Sequence, residues 1–380
     1  AIAVAHYTSP YVSAYPWSGS GFGTKYANPS TLPASNSKHV DFSPDGSAIA
    51  VAHNTSPYVS AYPWSGSGFG TKYSNPSALP TGNGNEVSFS SDGSAIAVAH
   101  TTSPYVTAYP WSGSGFGTKF SNPSTLPANT GIGVAFSSDG LAIAVSHDVT
   151  PFVSAYPWSG SGFGSKYSNP STLPTGTGRG VAFSTVGDPQ TAYNKYVAVS
   201  HATSPYVSAY PWLSSGFGTK FSNPSALPAG TGSGVGFSHD SSAIAVVHSS
   251  SPYVSAYPWS GSGFGTKFAN PSTLPTGSGF GVAFSLDGSA IAVSHNTSPF
   301  VSAYPWSGSG FGTKFANPST LPVGTGRDVT FSPDGSALAV AHATNPIVSA
   351  YPWSGSGFGT KFANPSTLPA GSGGGVSFSP

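Results

Sequence analysis

Histidines form the most regular set of reactive side chains in this 380-residue sequence. Eight of the ten end an apolar run such as AIAVAH: His6, His53, His100, His147, His201, His248, His295 and His342. Imidazoles bind metal ions, but a metal centre needs several ligands that converge, and no carboxylate or second histidine recurs beside these positions. We therefore predict that each imidazole hydrogen-bonds a loop carbonyl or hydroxyl at a strand end, and that the chain binds no metal.

Carboxylates are few, with eleven in the whole chain. Seven are assigned to hairpin turns, where aspartate hydrogen-bonds its own backbone: Asp45, Asp92, Asp139, Asp188, Asp240, Asp287 and Asp334. The other four, Asp41, Glu86, Asp148 and Asp328, lie in different repeats, whereas a glycosidase needs two acids in one cleft. GxSxG, HExxH, P-loop and EF-hand motifs are absent from the sequence. We expect a protein that is not an enzyme and that uses no cofactor.

Tryptophans mark the same repeat and offer a different chemistry, because a sugar ring stacks on an indole face. They stand in the triplet Tyr-Pro-Trp or its equivalents, at Trp17, Trp64, Trp111, Trp158, Trp212, Trp259, Trp306 and Trp353. These residues are candidate ligand-binding platforms. The alternative is core packing, since Trp64 shares a strand face with Tyr58 and Tyr62 and the repeat has little Leu or Ile from which to build a core.

The elements that position these residues follow from the repeat. Successive tryptophans are 47, 47, 47, 54, 47, 47 and 47 residues apart. Within the unit at 40–80, alternating apolar residues predict short strands at 40–42, 48–53, 58–64 and 69–74, separated by turns rich in Pro and Gly. Alanines on one face of the second strand oppose Ile49 and Val51 on the other, which suits packing between two sheets. The fold class is therefore all-β.

The hairpin VxFSPDGSxIAVAH resembles the first two strands of WD40-like propeller repeats, and the whole chain resembles the highly uniform propeller repeats of phage and environmental bacterial surface proteins. The resemblance implies an eight-bladed β-propeller with four-stranded antiparallel blades. The Tyr62-Pro63-Trp64 triplet stands where a Trp-Asp pair is expected, so the hydrogen-bond tetrad of that family is not carried over.

The two ends of the chain complement each other. Residues 1–6 form the second strand of a unit and residues 376–380 form the first, so we expect the ring to close by pairing the N- and C-terminal strands in one blade. Residues 1–380 then form a single domain, and the start in mid-repeat predicts that it is part of a longer chain. A seven-residue elongation of one hairpin, within 185–195, is either a docking element or a tolerated loop.

Composition excludes several function classes. Charged residues make up 6% of the chain, the net charge is +1, and Cys and Met are absent. Nucleic-acid binding is not expected at such a charge, and no apolar run is long enough for a membrane span. The absence of sulfur fits an extracellular or virion-surface location. Eight lysines on the predicted outer strand either contact acidic groups or discourage pairing between sheet edges: Lys25, Lys72, Lys119, Lys166, Lys220, Lys267, Lys314 and Lys361.

The repeats differ chiefly in the loop that enters each first strand. The non-repeating residues there are candidates for binding a partner: Lys38, His39, Glu86, Arg179, Phe280, Arg327 and Asp328. Neutral drift of exposed loops is the alternative. Two functions remain open: multivalent recognition of surface glycans, and a structural protein-interaction disc in a surface appendage, filament or phage tail. Inhibition by a free saccharide distinguishes them.

Overall fold

The computed structural model of the chain describes residues 1–17, 21–184, 195–260, 262–365, 367–369 and 371–379. The regular elements in these ranges are all β-strands, arranged in eight antiparallel sheets of three or four strands. No helix in the described ranges is long and apolar enough to cross a membrane. The predicted all-β class is confirmed.

Seven of the eight sheets are built from consecutive strands of one repeat, and the eighth joins the first two strands of the chain to the last one. The first strands are β3 (Ser37–Phe42), β6 (Gly84–Phe89), β9 (Gly131–Phe136), β12 (Gly178–Phe183), β16 (Gly232–Phe237), β20 (Gly279–Phe284), β23 (Gly326–Phe331) and β26 (Gly373–Phe378). The second strands are β1 (Ile2–His6), β4 (Ala48–His53), β7 (Ala95–His100), β10 (Ala142–His147), β13 (Lys195–His201), β17 (Ala243–His248), β21 (Ala290–His295) and β24 (Ala337–His342). The third strands are β2 (Val12–Tyr15), β5 (Val59–Pro63), β8 (Val106–Pro110), β11 (Val153–Pro157), β14 (Val207–Leu213), β18 (Val254–Ser260), β22 (Val301–Pro305) and β25 (Val348–Pro352).

The predicted fourth strand at 69–74 is wrong in length. Two sheets have a two-residue fourth strand, β15 (Gly216–Phe217) and β19 (Gly263–Phe264), and the other six have a single bridge such as Trp64 to Phe69. The backbone N–H of Gly70 bonds the carbonyl of Pro63 (2.8 Å), and that of Tyr73 bonds the carbonyl of Ala61 (3.0 Å). From Gly70 to Tyr73 the outer segment advances three residues, whereas the third strand advances only two between Pro63 and Ala61. The regular pairing of the two segments is therefore lost.

The turn between the first two strands is held by its aspartate. The Asp45 carboxylate accepts hydrogen bonds from the Ser47 backbone N–H (3.0 Å) and the Ser47 hydroxyl (2.7 Å), and Gly46 takes a positive φ of 68°. The Ser43 hydroxyl also donates to this carboxylate (2.5 Å), and this bond first, then those from Ser47, holds the pKa of Asp45 below its ordinary value. The assignment of this aspartate to turn chemistry is confirmed.

The core consists of contacts between successive sheets. Ala48, Ala50 and Ala52 of β4 pack against Ile96 and Val98 of β7, so the small face of one sheet meets the large face of the next, as predicted from the alternation. Equivalent clusters join the other neighbouring sheets. Sheet-on-sheet packing of this kind stabilises the fold because the alternating faces are complementary in size.

The ends of the chain lie in one sheet. Strand β1 pairs with β26, with Val4 opposite Val376. The alanine face of β24 packs against Ile2 and Val4, and β26 contacts β3 as the other first strands contact one another. The elongation expected within 185–195 lies outside the described residues, apart from the backbone of Lys195 where β13 begins.

Candidate functional site

Each sheet has two ends of different character. Ser37 pairs with His53, so the start of the first strand, the end of the second and the 54–58 connection lie together, at what we call the loop end. The Trp64 backbone N–H bonds the Ser47 carbonyl (2.7 Å), which places the Ser-Pro-Asp-Gly and Ser-Gly-Ser-Gly turns at the opposite, turn end. The sequence differences between repeats that we singled out are therefore gathered at the loop end.

The repeated histidines are structural. His53 is fully buried, its Nδ1 bonds the Thr55 carbonyl (2.9 Å) and its Nε2 bonds the Ser60 hydroxyl (3.0 Å). A carbonyl only accepts, so Nδ1 donates and the neutral Nε2 accepts from the serine. Burial lowers the pKa of His53 to about 4. Two bonds of the same kind hold His6, His147, His201, His248, His295 and His342, which confirms the predicted role.

The tryptophans are packed between aromatic rings. Trp64 is 5% exposed and meets three rings edge-to-face, those of Phe42 (5.4 Å between centroids), Phe69 (5.2 Å) and Tyr26 of the preceding repeat (5.1 Å). The other tryptophans make the same contacts, and only Trp17 among the eight is half-buried rather than buried. Core packing, one of the two roles left open above, is thus observed. Stacking of sugars on these indoles stays a prediction. The packed arrangement leaves little of each indole face accessible to a sugar.

Trp17 borders a cavity of about 460 Å³ that also contacts Tyr26, Asp45 and Trp64. Ala1 and Ser379, which lie at or next to the ends of the sequence, form part of its wall. Two of the candidate platforms, Trp17 and Trp64, therefore border this space, and Trp17 is the more exposed of the two.

The candidate partner-binding residues lie on first strands at or near the loop end. Lys38 Nζ donates to the Asn85 side-chain oxygen (2.7 Å), and the Asn85 amide donates to the Gly131 carbonyl (2.7 Å), so the two side chains bridge β3, β6 and β9. Burial lowers the pKa of Lys38. Arg179, Phe280 and Arg327 are exposed, Phe280 by 38%.

The acids on the first strands are not isolated, contrary to the expectation from the sequence. Asp41 accepts a hydrogen bond from the Phe89 N–H (3.0 Å), and Asp328 accepts one from the Val376 N–H (3.1 Å), each reaching the next sheet. Glu86 lies close enough to both that their charges, after burial itself, raise its pKa to about 8. The first strands contact one another, so residues far apart in sequence face a shared space.

Burial also raises the pKa of Asp41 and of Asp328 to about 6, and lowers that of His39 to about 4. Glycines stand at five of the eight positions equivalent to His39, at 133, 180, 234, 281 and 375. A Cβ on Gly133 would lie 3.2 Å from a Glu86 carboxylate oxygen, so the glycine makes room for that side chain. Within the described residues no group of His, Asp and Glu is arranged to hold a metal ion.

Replacing Glu86 with Gln is expected to stabilise the protein at pH 8 and to change little at pH 4. The folded-state pKa of about 8 lies above the ordinary value of 4.5, so ionisation opposes folding as pH rises through this interval. We expect a gain of about 4 kcal/mol in the free energy of unfolding at pH 8. Denaturant unfolding at both pH values measures it, and an equal effect at pH 4 and pH 8 would contradict the electrostatic cause.

An aromatic position at the loop end was missed by the sequence analysis as a candidate site. The residue before each third strand is Tyr11, Tyr58, Tyr105, Phe152, Tyr206, Tyr253, Phe300 or Ile347. The seven aromatic ones are half-buried, with φ between 67° and 69°. Their recurrence as Tyr or Phe was visible in the sequence, but their left-handed backbone and partial exposure were not.

No protein-family model and no curated protein matches the chain. Among solved structures, Kuenenia stuttgartiensis hydrazine synthase is 14% identical with a TM-score of 0.59, over 83% of this chain and 95% of that one. A putative 6-phosphogluconolactonase from Bacteroides fragilis is 12% identical with a TM-score of 0.58, over 99% and 96%. U3-55K is 12% identical with a TM-score of 0.58, over 80% and 88%. What these proteins share with this chain is the fold.

Proposed function

We propose that the eight sheets are the blades of one closed, WD40-like β-propeller that serves as a non-enzymatic binding and display protein at a cell or virion surface. The ligands best suited to it are neutral glycans. The pairing of β1 with β26, the contact of β26 with β3 and the packing of Phe362 on Trp17 (4.9 Å) support the closed ring.

The observation that carries the binding function is the equivalence of the repeats. Buried histidine bonds, aspartate-held turns and aromatic contacts recur from sheet to sheet with nearly constant distances. A ligand that fits the surface of one repeat therefore meets the same surface on others. Binding that is weak at each copy gains strength by avidity when the ligand is itself repetitive, as a glycan is.

The repeated reactive groups support a role other than catalysis. Both imidazole nitrogens of His53 are occupied by hydrogen bonds within the sheet, and the Asp45 carboxylate is occupied by its own turn. The imidazole is also fully buried, whereas the Asp45 carboxylate stays exposed beside the cavity near Trp17. A catalytic site would have to be built from the residues that break the repeat, which are few.

The test is an array of immobilised neutral glycans probed with the folded protein and repeated with free saccharide. We expect saturable binding that the free saccharide inhibits. A folded protein that binds no glycan on the array, or that binds without inhibition by the free sugar, would contradict the glycan proposal.

A second function is favoured by the charged residues of the first strands. Lys38, Glu86, Arg179, Arg327 and Asp328 break the symmetry on the loop-end side, which suits one protein partner in a surface appendage, filament or phage tail. This structural disc would need no small-molecule ligand.

Under the second function, the double variant Arg179→Glu, Arg327→Glu is expected to weaken partner binding at least tenfold, because both guanidinium groups are exposed and available for pairing. Chemical cross-linking to the partner in the native assembly, followed by quantification, measures it. The matched control reverses the same number of charges on outer-edge lysines, Lys119→Glu and Lys267→Glu. Equal cross-linking by the two variants would rule out the loop-end surface.

A further inference from the structure

We propose that the sugar-binding sites of this chain are the aromatic side chains at the loop end, each stacking on one pyranose ring. The inference rests on the proposed glycan binding and assigns it a location that differs from the tryptophans. The seven residues, here called the loop-end aromatics, are Tyr11, Tyr58, Tyr105, Phe152, Tyr206, Tyr253 and Phe300.

These rings take no part in the aromatic core. Each repeat has six aromatic positions, and five of them interlock edge-to-face, as Phe42, Tyr62, Trp64 and Phe69 do with a ring of the preceding repeat. The sixth position, that of Tyr58, makes no ring contact within the described residues. In the described residues none of the seven rings belongs to a buried core cluster, whereas Ile347 at the eighth position does.

The hydroxyl groups of the third-strand tyrosines and of the loop-end tyrosines also differ in their hydrogen bonding. Tyr62 donates its hydroxyl to the Thr31 carbonyl (2.9 Å), and every equivalent tyrosine of the third strands makes such a bond. In the part of the chain that the structure describes, the Tyr58 hydroxyl has no protein partner. It remains available to a ligand.

The backbone conformation at the loop-end aromatics disfavours a residue with a large side chain. A left-handed φ such as the 68° of Tyr58 is unfavourable for a residue with a Cβ, by about 1–2 kcal/mol, and Gly or Asn would fit with less strain. The eighth copy carries Ile347, fully buried with φ of 54°, so the connection also forms without an aromatic ring. Seven copies nevertheless keep a large flat ring at this strained position, and strained residues of this kind concentrate at binding sites.

The surroundings fit a neutral polyhydroxylated ligand. The connection before Tyr58 is Asn54-Thr55-Ser56-Pro57, and Thr55 and Ser56 are exposed. In the seven connections that precede the loop-end aromatics the only charged residue is Asp148. An aromatic face beside hydroxyl and amide groups matches a pyranose, which presents C–H groups on one face and hydroxyls at its edge. Exchange between Tyr and Phe indicates that the ring face matters more than its hydroxyl.

Sites of this type would be weak singly and strong together. One loop-end aromatic per repeat gives seven equivalent platforms on the loop-end side, and a branched or polymeric glycan engages several at once. A monovalent saccharide instead reports each platform separately, so its binding stoichiometry counts them.

The experiment is calorimetric titration with a monovalent neutral saccharide chosen from the glycan array. Wild-type protein is expected to bind about seven molecules. The triple variant Tyr11→Asn, Tyr58→Asn, Tyr105→Asn should bind about four, and Asn at all seven positions should abolish binding. The control Tyr11→Phe, Tyr58→Phe, Tyr105→Phe keeps the rings and should retain about seven. Asn accepts the left-handed backbone, so the thermal midpoint of the triple variant should not fall.

The outcomes separate the site from the function. Wild-type binding with unchanged stoichiometry in a folded triple Asn variant would overturn the assignment of these residues and leave glycan binding in place. Absence of saccharide binding by the wild type would overturn both. If the sevenfold variant does not fold, the triple variant and its Phe control decide the question.

Discussion

Lowering the pH from 7 to 5 is expected to unfold the protein, or to remove most of its stability, because of the buried histidines. Burial lowers the pKa of His39 to about 4, and does the same for seven of the repeated histidines: His53, His100, His147, His201, His248, His295 and His342. In the unfolded chain these imidazoles return to the ordinary value of 6.5 and take up protons there first.

The sign follows from which state binds more protons. Between pH 6.5 and 4 the unfolded chain is the more protonated state, so the free energy of unfolding falls as pH falls through this interval. At pH 5 each histidine contributes a loss of about 2 kcal/mol, or about 14 kcal/mol for the seven. That sum is comparable with the whole stability of a typical domain.

Three carboxylates act in the opposite direction. The raised pKa values of Asp41, Glu86 and Asp328 mean that these groups favour the folded state as pH falls, since the folded chain takes up their protons first. Their combined relief between pH 7 and pH 5 is about 5 kcal/mol, less than the histidines remove. The loss of stability caused by the histidines is therefore expected to exceed the gain from the carboxylates, so the protein is destabilised by acid.

Denaturant unfolding across pH 7 to 4.5 measures this effect, since the slope of stability against pH counts the protons taken up on unfolding. Replacing His295 with Gln, which keeps an amide donor and acceptor but does not titrate, should flatten the slope by about one proton. Equal stability at pH 7 and pH 5 would show that the imidazoles are not held neutral by the fold.

The repeat and its strands were predictable because their determinants are local. Alternation over Ala48 to His53, the turn at Asp45 and Gly46, and the 47-residue spacing are all read within one unit, and the structure follows them closely. The outer strand was overestimated because its pairing depends on register against Pro63 and Ala61, which the apolar pattern does not encode.

The site was less predictable because its determinants are nonlocal. Glu86 and Asp328 occupy the same position of their repeats and Asp41 lies two residues further along its own, but only the arrangement of first strands from different sheets brings their charges close enough to couple. The burial of Trp64 depends on Tyr26 of the preceding repeat, which likewise cannot be read from one unit. The loop-end aromatics were hidden by a backbone conformation that their side chains disfavour.

Truncation of a buried tryptophan is expected to have the second large effect on stability. Replacing Trp111 with Ala should lower the free energy of unfolding by about 3–5 kcal/mol, as for other large buried aromatics. Trp111 is 5% exposed and contacts Tyr73 (5.2 Å), Phe89 (5.3 Å) and Phe116 (5.3 Å), which belong to two successive repeats. Its removal therefore opens a cavity at the junction of two sheets. Urea unfolding followed by circular dichroism measures the loss.

Two further variants separate packing from ligand stacking at this position. Trp111→Phe keeps an aromatic ring and removes an indole N–H that has no hydrogen-bond partner in the described residues, so its cost should be well below that of Ala. Tyr105→Asn, on the same third-strand hairpin, should cost little or nothing because its ring lies outside the core and its φ of 69° favours Asn. If Trp111→Ala were instead tolerated and lowered the saccharide stoichiometry by one while Tyr105→Asn left it unchanged, the indole would be a platform and the loop-end aromatics would not.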